Sequence, residues 1–325
     1  MLAFARFPLT HNNEGSIIAV STETTTIGFV GVGNMGAPMV RCLAHGGYDL
    51  VIHDLRRAAL DALAAGDGSI RVADGFADIG RCPVVITMLP DAAAVRTAVL
   101  GDDGRDGFAA AMARGSLVVD MSSSAPGATL ELGQALAPRG IGLVDAPVSG
   151  GVPRAVEGRL TIMAGGDAQS IDAVEPMLSS MGTVHRTGAL GSGHAMKALN
   201  NYVSAAGLLA VCEALIIAAR FGLDPRVAND VLKASTGRNN TTDRKVEQYM
   251  LNRAFDSGFA LDLMRKDVGI ARGLAADLRL DAPWLRTCEA VLDEATRALG
   301  PDADHTAAFA FLQQRLTGGN GDSDG

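Results

Sequence analysis

The segment Thr26–Gly36, TIGFVGVGNMG, constrains the fold more than any other part of the chain. An unbroken apolar run leads into Gly31-Val32-Gly33-Asn34-Met35-Gly36, which fits GxGxxG. A helical pattern, APMVRCLAHGG, follows, and then a second apolar run, DLVIHD. An apolar run without alternation belongs to a strand covered on both faces, and a helix between two such runs is the crossover of a parallel sheet. More strand candidates follow at CPVVITML, GSLVVDMS, IGLVDAPV, RLTIMAGG and GTVHRTG. Helical stretches near Ala92–Val99, Phe108–Met112, Ala128–Leu136 and Ser170–Leu178 separate them. The pattern predicts a doubly wound α/β domain of the Rossmann type over residues 26–190.

In such a turn the first glycine allows a tight reversal, the second lets the backbone approach a pyrophosphate, and the third lets the helix pack on the strand. The pyrophosphate of a dinucleotide then sits at the helix N-terminus, where free N–H groups and the helix dipole favour negative charge. Asp54 lies eighteen residues after Gly36, at the end of the second strand. A carboxylate there accepts hydrogen bonds from the adenosine ribose and repels a 2′-phosphate, which favours NAD over NADP. Leu55 and Arg56 follow on the same loop. Arg56 and Arg57 read either as partners for a 2′-phosphate or as solvated residues opening a helix. Two more strand exits, Met88-Leu89-Pro90 and Asp120-Met121-Ser122-Ser123, belong beyond the carboxyl ends of the sheet, where the nicotinamide half extends.

After Gly191 the strands stop, and residues 191–316 read as an all-helical second domain. Its first helix, from Ala195 to the breaker Gly222, would run roughly 40 Å at 1.5 Å per residue. So long an apolar helix needs cover from the first domain, the other helices and a second subunit, so a homodimer or homotetramer is expected. Glu213 interrupts its most apolar run, Val203–Ala219, which favours a buried helix over a membrane span. Residues 1–25 read as a disordered extension, with an organelle transit peptide as the alternative, and 317–325 as a frayed tail.

Within this helix Gly193, Lys197 and Asn201 are four apart and form one stripe. A lysine and an asparagine amid apolar neighbours are costly to bury and need partners, unless the lysine snorkels from the helix end. Hydride transfer to or from an alcohol requires a proton to move at the oxygen. Lysine serves if desolvation and a nearby positive charge lower its pKa, and Asn201 would hold the hydroxyl or orient the amine. His194 points about 90° or more away around the same helix. Asp145-Ala-Pro-Val-Ser149-Gly150-Gly151 ends a strand with a hydroxyl and two glycines. It reads either as backbone N–H groups open to a carboxylate or as an ordinary flexible turn. Phe259–Asp267, FALDLMRKD, reads by charge alone as an amphipathic helix.

Composition narrows the field. A net charge of −8 disfavours a nucleic-acid backbone or an anionic membrane as partner. Four scattered cysteines without a CxxC pair read as reduced thiols of a cytoplasmic protein, and no metal-ligand spacing is evident.

Together GFVGVGNMG, TMLP, DMSSSAP, DAPVSGG, the GxxxKxxxN stripe and FALDLMRKD resemble the β-hydroxyacid dehydrogenase family, over nearly all of residues 26–316. The resemblance implies a Rossmann domain and a helical domain joined by a long helix, and a small hydroxy acid or semialdehyde as substrate. It implies Lys197 as general acid/base with Asn201 beside it. Ser149, Gly150 and Gly151 would bind the substrate carboxylate, Ser123 would lie near substrate and nicotinamide, and Lys266 would close over the cofactor. A serine stands at 123 where the family often has threonine, and Asp54-Leu55 differs from the Asn-Arg-Thr of NADP users. Rivals are reductases of tartronate, succinate or sulfolactaldehyde-type semialdehydes, and a dinucleotide-binding module without turnover. Relatives of 6-phosphogluconate dehydrogenase fit less well because no basic phosphate cluster is evident, and imine reducers typically lack the lysine.

Overall fold

The computed structural model describes residues 26–102 and 104–318, so the readings of 1–25 and of the last residues of the tail lie outside it. Its main sheet is built from β1 (Thr26–Val30), β2 (Asp49–His53), β3 (Ile70–Val72) and β4 (Val84–Thr87). A small hairpin, β5 (Gly101–Asp102) and β6 (Arg105–Asp106), stands apart. The sheet continues through β7 (Leu117–Asp120), β8 (Gly142–Asp145), β9 (Val148–Ser149), β10 (Leu160–Gly165) and β11 (Gly182–Gly188). The order is β11-β10-β8-β7-β4-β1-β2-β3, with β9 paired to β10. Strands β1, β2, β3, β4, β7 and β8 are mutually parallel, and the order reverses direction at β1 and β4, where such sheets open a ligand crevice.

Four features differ from the sequence reading. First, β10 meets β8 and β9 antiparallel and carries a parallel β11 with it. A parallel return needs a crossover of a dozen or more residues, usually a full helix. Between β8 and β10 the chain forms only β9 and the six-residue helix Gly151–Val156, so it folds back. Second, Ile70–Val72 is a strand at the sheet edge, too short for periodicity to register. Phe108–Ala111 is 3₁₀ rather than α-helical, and Ala308–Thr317 stays helical through the first residue assigned to the tail.

Apolar strand residues face both ways, as the unbroken runs require. Ile27, Phe29 and Ile52 pack with the helices Gly36–His45 and Ala168–Ser179. Val30, Val85 and Val118 pack on the opposite face with Val95, Val99 and Leu132. The helical part gathers around Ser192–Phe221, which packs against Leu261–Asp277, Pro283–Leu299 and Ala308–Thr317. By length and apolarity this helix could cross a membrane, but Ala205, Leu208, Cys212, Leu215 and Ile216 sit in the helical core.

No side chain of the long helix caps its own N-terminus; the cap comes from β8. Gly191 N donates to Asp145 Oδ1 at 2.7 Å and His194 N to Oδ2 at 2.8 Å. A Cβ at Gly193 would lie 2.2 Å from Met163 O and 2.9 Å from Asp145 Oδ2, so glycine is required there. The glycine of the predicted stripe is therefore a packing requirement that lets the helix start against the sheet.

Candidate active site

At the turn after β1, the three glycines answer different demands. A Cβ at Gly31, where φ is +100°, would lie 2.3 Å from Met88 O, and one at Gly36 only 1.9 Å from Gly31 O. Both are therefore dictated by the protein's own backbone. A Cβ at Gly33 would meet nothing closer than Arg56 Nη2 at 3.5 Å. The fold does not need glycine there, and the open space above the helix N-terminus is what an approaching pyrophosphate requires. Val32, Asn34 and Met35 complete the turn.

Asp54 stands beside this turn and accepts from Val32 N at 2.8 Å, Arg56 N at 2.9 Å and Arg56 Nε at 3.4 Å. Burial pushes its carboxyl up, but these donors outweigh it and hold it below the usual range. The carboxylate thus braces the glycine turn from the next strand. Arg56 lies over Gly33 and Asp54, whereas Arg57 turns aside to pair with Asp61. Leu55 is 97% exposed on the same loop.

The two predicted strand exits meet each other. Leu89 N donates to Ser122 Oγ at 2.9 Å, and Asp120 accepts from Thr87 Oγ1, Ser122 N and Ser124 Oγ. Lys266, from the helix Leu261–Asp277, crosses to them: its Nζ donates to Pro90 O at 2.9 Å and to Ser123 O at 3.3 Å. The amphipathic-helix reading of FALDLMRKD could not have shown this, because the partners are 143 or more residues away.

Asp267, beside Lys266, was quoted in the sequence without a role. It is 4% exposed and accepts from Asn201 Nδ2 at 2.5 Å. Its other oxygen, Oδ1, is buried without a hydrogen-bond partner and lies 3.6 Å from Lys266 Nζ. Asn201 Oδ1 in turn accepts from Asn200 Nδ2. Burial lowers the pKa of Lys197, Asp267 opposes that shift, and Lys266 adds to it. The half-buried Lys197 amine therefore lies within the field of Asp267 and Lys266.

Ser149 lies on β9 opposite Thr161, and the chain then turns through Gly150 at φ +136° and Gly151 at φ +69°. A side chain at Gly150 would also strike the stem of Arg154 at 2.8 Å. The DAPVSGG segment thus joins the cap of the long helix to a turn only glycines adopt readily. Among the described residues no group of three His, Cys, Asp or Glu side chains is placed to hold a metal.

Residues 26–191 match the family model described as the NAD-binding domain of 6-phosphogluconate dehydrogenase. Residues 191–312 match the one described as NAD-binding of NADP-dependent 3-hydroxyisobutyrate dehydrogenase. The chain is 32% identical to 2-(hydroxymethyl)glutarate dehydrogenase of Eubacterium barkeri over 91% of its own length and 97% of that protein's. It is 34% identical to the mitochondrial 3-hydroxyisobutyrate dehydrogenase of Homo sapiens over 82% and 81% of the two chains. The Mycobacterium tuberculosis 3-hydroxyisobutyrate dehydrogenase structure with L-serine superposes with a TM-score of 0.79 at 31% identity, over 89% and 99% of the two chains. With its two-part architecture and this coverage by relatives, the chain belongs to the β-hydroxyacid dehydrogenase family, oxidoreductases that act on a CH–OH group with a nicotinamide dinucleotide.

Proposed function

We propose that this chain interconverts a small β-hydroxy acid and its semialdehyde with NAD, in the manner of 3-hydroxyisobutyrate dehydrogenase, and that Lys197 moves the proton. The observation that carries this reading is Lys197, its pKa lowered by burial, one helical turn from Asn201, whose amide donates to the buried Asp267. 3-Hydroxyisobutyrate, 2-(hydroxymethyl)glutarate and L-serine share a carboxylate beside a carbon that bears a CH₂OH group. The Gly33 space, the Asp54 brace and exposed Leu55 fit the dinucleotide, which supplies a hydride acceptor when oxidised.

The chain's own residues do the rest. The Ser149 hydroxyl and the Gly150-Gly151 backbone take the substrate carboxylate. Asp267 fixes the Asn201 amide, which keeps one hydrogen and a carbonyl lone pair for the substrate hydroxyl. The Lys197 amine accepts the hydroxyl proton as the hydride leaves carbon, and its ammonium returns a proton in reduction. Lys266 ties the helical part to the loop bearing Ser123 and limits water in the cleft. A screen following reduced nicotinamide with 3-hydroxyisobutyrate, glycerate, 3-hydroxypropionate, 4-hydroxybutyrate and threonate tests the substrate class; no turnover with any of them counts against it.

NAD preference rests on Asp54. Its anion would meet the ribose of a bound dinucleotide, and Arg56 is already paired to it. The expected result is a higher kcat/KM with NAD than with NADP. Asp54→Ser, which frees Arg56 for a 2′-phosphate, should move that ratio roughly 10- to 100-fold towards NADP, the value of one charge-assisted hydrogen bond. A wild-type protein that prefers NADP would reject the Asp54 argument.

The exposed face of the long helix carries Val203, Ala210, Ala214, Ile217 and Phe221 at spacings of seven, four, three and four, the period of a helix–helix seam. Val203 is 66% and Phe221 82% exposed. We propose that a second copy covers this seam in a homodimer, or in a homotetramer built from such dimers. The small residues at its middle let two helices approach closely, and the net charge of −8 disfavours an anionic membrane as the cover. Light scattering should give a multiple of the chain mass, and Val203→Glu with Ile217→Glu should give the monomer. A monomeric wild type would refute the assignment. A cytoplasmic setting is our proposal as well, supported by four free cysteines, three of them buried.

A further inference from the structure

The first turn of the long helix carries His194, which the sequence turns away from the reaction. Its side chain is enclosed, with the residue 1% exposed. Nε2 lies 3.1 Å from Ser122 O; a carbonyl has no hydrogen to give, so this nitrogen carries the proton and donates it. Nδ1 lies 2.7 Å from Thr129 Oγ1, which also approaches Ala125 O at 3.2 Å. Two buried carboxylates flank the ring: Asp120 Oδ2 is 3.7 Å from Nε2 and Asp145 Oδ2 3.7 Å from Nδ1. Burial pushes the Asp145 carboxyl up to about 6, and the neighbouring His194 ring and the N–H groups of His194 and Gly191 oppose that shift.

The placement matters more than the charges. Ser122 O belongs to the loop that carries Ser123, whose own carbonyl is held by Lys266. Three residues beyond His194 on its helix stands Lys197. One ring therefore joins the loop that carries Ser123 to the helix turn that carries Lys197.

We propose that His194 is a positioning residue that sets the distance between the Lys197 amine and the Ser123 loop. It acts through Ser122 O and Thr129 and touches neither substrate nor cofactor. The inference rests on the reading of Lys197 given above. Misplacing a reacting group by about 1 Å costs on the order of a hundredfold in rate, so His194→Ala is expected to lower kcat roughly tenfold or more. Affinity for NADH, read by fluorescence, should stay within about twofold, because the ring lies outside the dinucleotide turn. His194→Gln retains an amide donor for Ser122 O and should recover most of the rate.

Leu208→Ala, a cavity in the same helix remote from the loop, is the control. It should lower Tm comparably yet leave kcat nearly unchanged. Hydrogen exchange over residues 121–129 and 191–201 should quicken in His194→Ala and not in Leu208→Ala. If His194→Ala does not fold, Thr129→Val replaces it and should lower kcat several-fold; an unchanged kcat there overturns the inference. Wild-type kcat in His194→Ala, or an equal loss in Leu208→Ala at the same Tm, also overturns it. Lys197→Ala belongs in the same assay: if it still turns over, the underlying reading falls, whereas an inactive Lys197→Ala beside a full-speed His194→Ala rejects the positioning role alone.

Discussion

Lys197→Ala should bind NADH with little change and lose about 10²- to 10⁴-fold in kcat, the range a positioned general acid or base contributes. Lys197→Arg should not rescue oxidation, because a guanidinium stays protonated and cannot take the hydroxyl proton. The pH dependence follows from the direction of the shift. Burial lowers the pKa of the amine, so the neutral base is present at lower pH than for an ordinary lysine. Oxidation should rise with pH through that lowered value and then level off, while reduction, which uses the ammonium, should fall over the same interval. Asp267 holds the amine's pKa up, so Asp267→Asn should move the limb to lower pH, besides slowing turnover through the Asn201 amide it releases. Turnover in Lys197→Ala equal to wild type, or a limb that ignores Asp267, would end the assignment.

The second large effect separates glycines that look equivalent. Gly36→Ala places a methyl 1.9 Å from a carbonyl oxygen of the same turn, where no side chain can yield. A cost of about 3 kcal/mol, the upper end for overpacking, is expected. For a domain of this size that lowers Tm by roughly 6–12 °C. A Cβ at Gly33 meets only the tip of Arg56, so Gly33→Val should lower Tm far less than Gly36→Ala does, while NADH affinity falls at least tenfold as the branched side chain fills the pyrophosphate space. Thermal unfolding and NADH titration on the two variants make the comparison. Equal loss of stability at both positions would show that Gly33 is structural and remove it as a mark of the cofactor.

The legible parts of the protein were those written in short range. Val30 to Gly36 gives a strand, a turn and a helix start within one window, and the spacing of Lys197 and Asn201 places them on one helix face. The unbroken apolar runs at Leu50–Ile52 and Leu117–Val119 identify strands covered on both sides. Asp54 illustrates a partial reading: its position at the strand end was evident, but its grip on Val32 N was not. His194 was excluded as an acid or base by its angle from Lys197, and that same angle sends it into the Asp120–Asp145 pocket.

By itself, then, the order of residues determined most of the element types, the dinucleotide turn and the shared helix face of Lys197 and Asn201, because each depends on local periodicity or on a few adjacent side chains. Only the tertiary structure decided that β10 and β11 run against the sheet, that Asp145 caps a helix 46 residues away, that Lys266 meets two loops from the other half of the chain, and that Asp267 meets Asn201 on the long helix. Those outcomes depend on which distant backbone groups come within hydrogen-bonding reach once two cores have packed, and no periodicity in the sequence encodes such a distance.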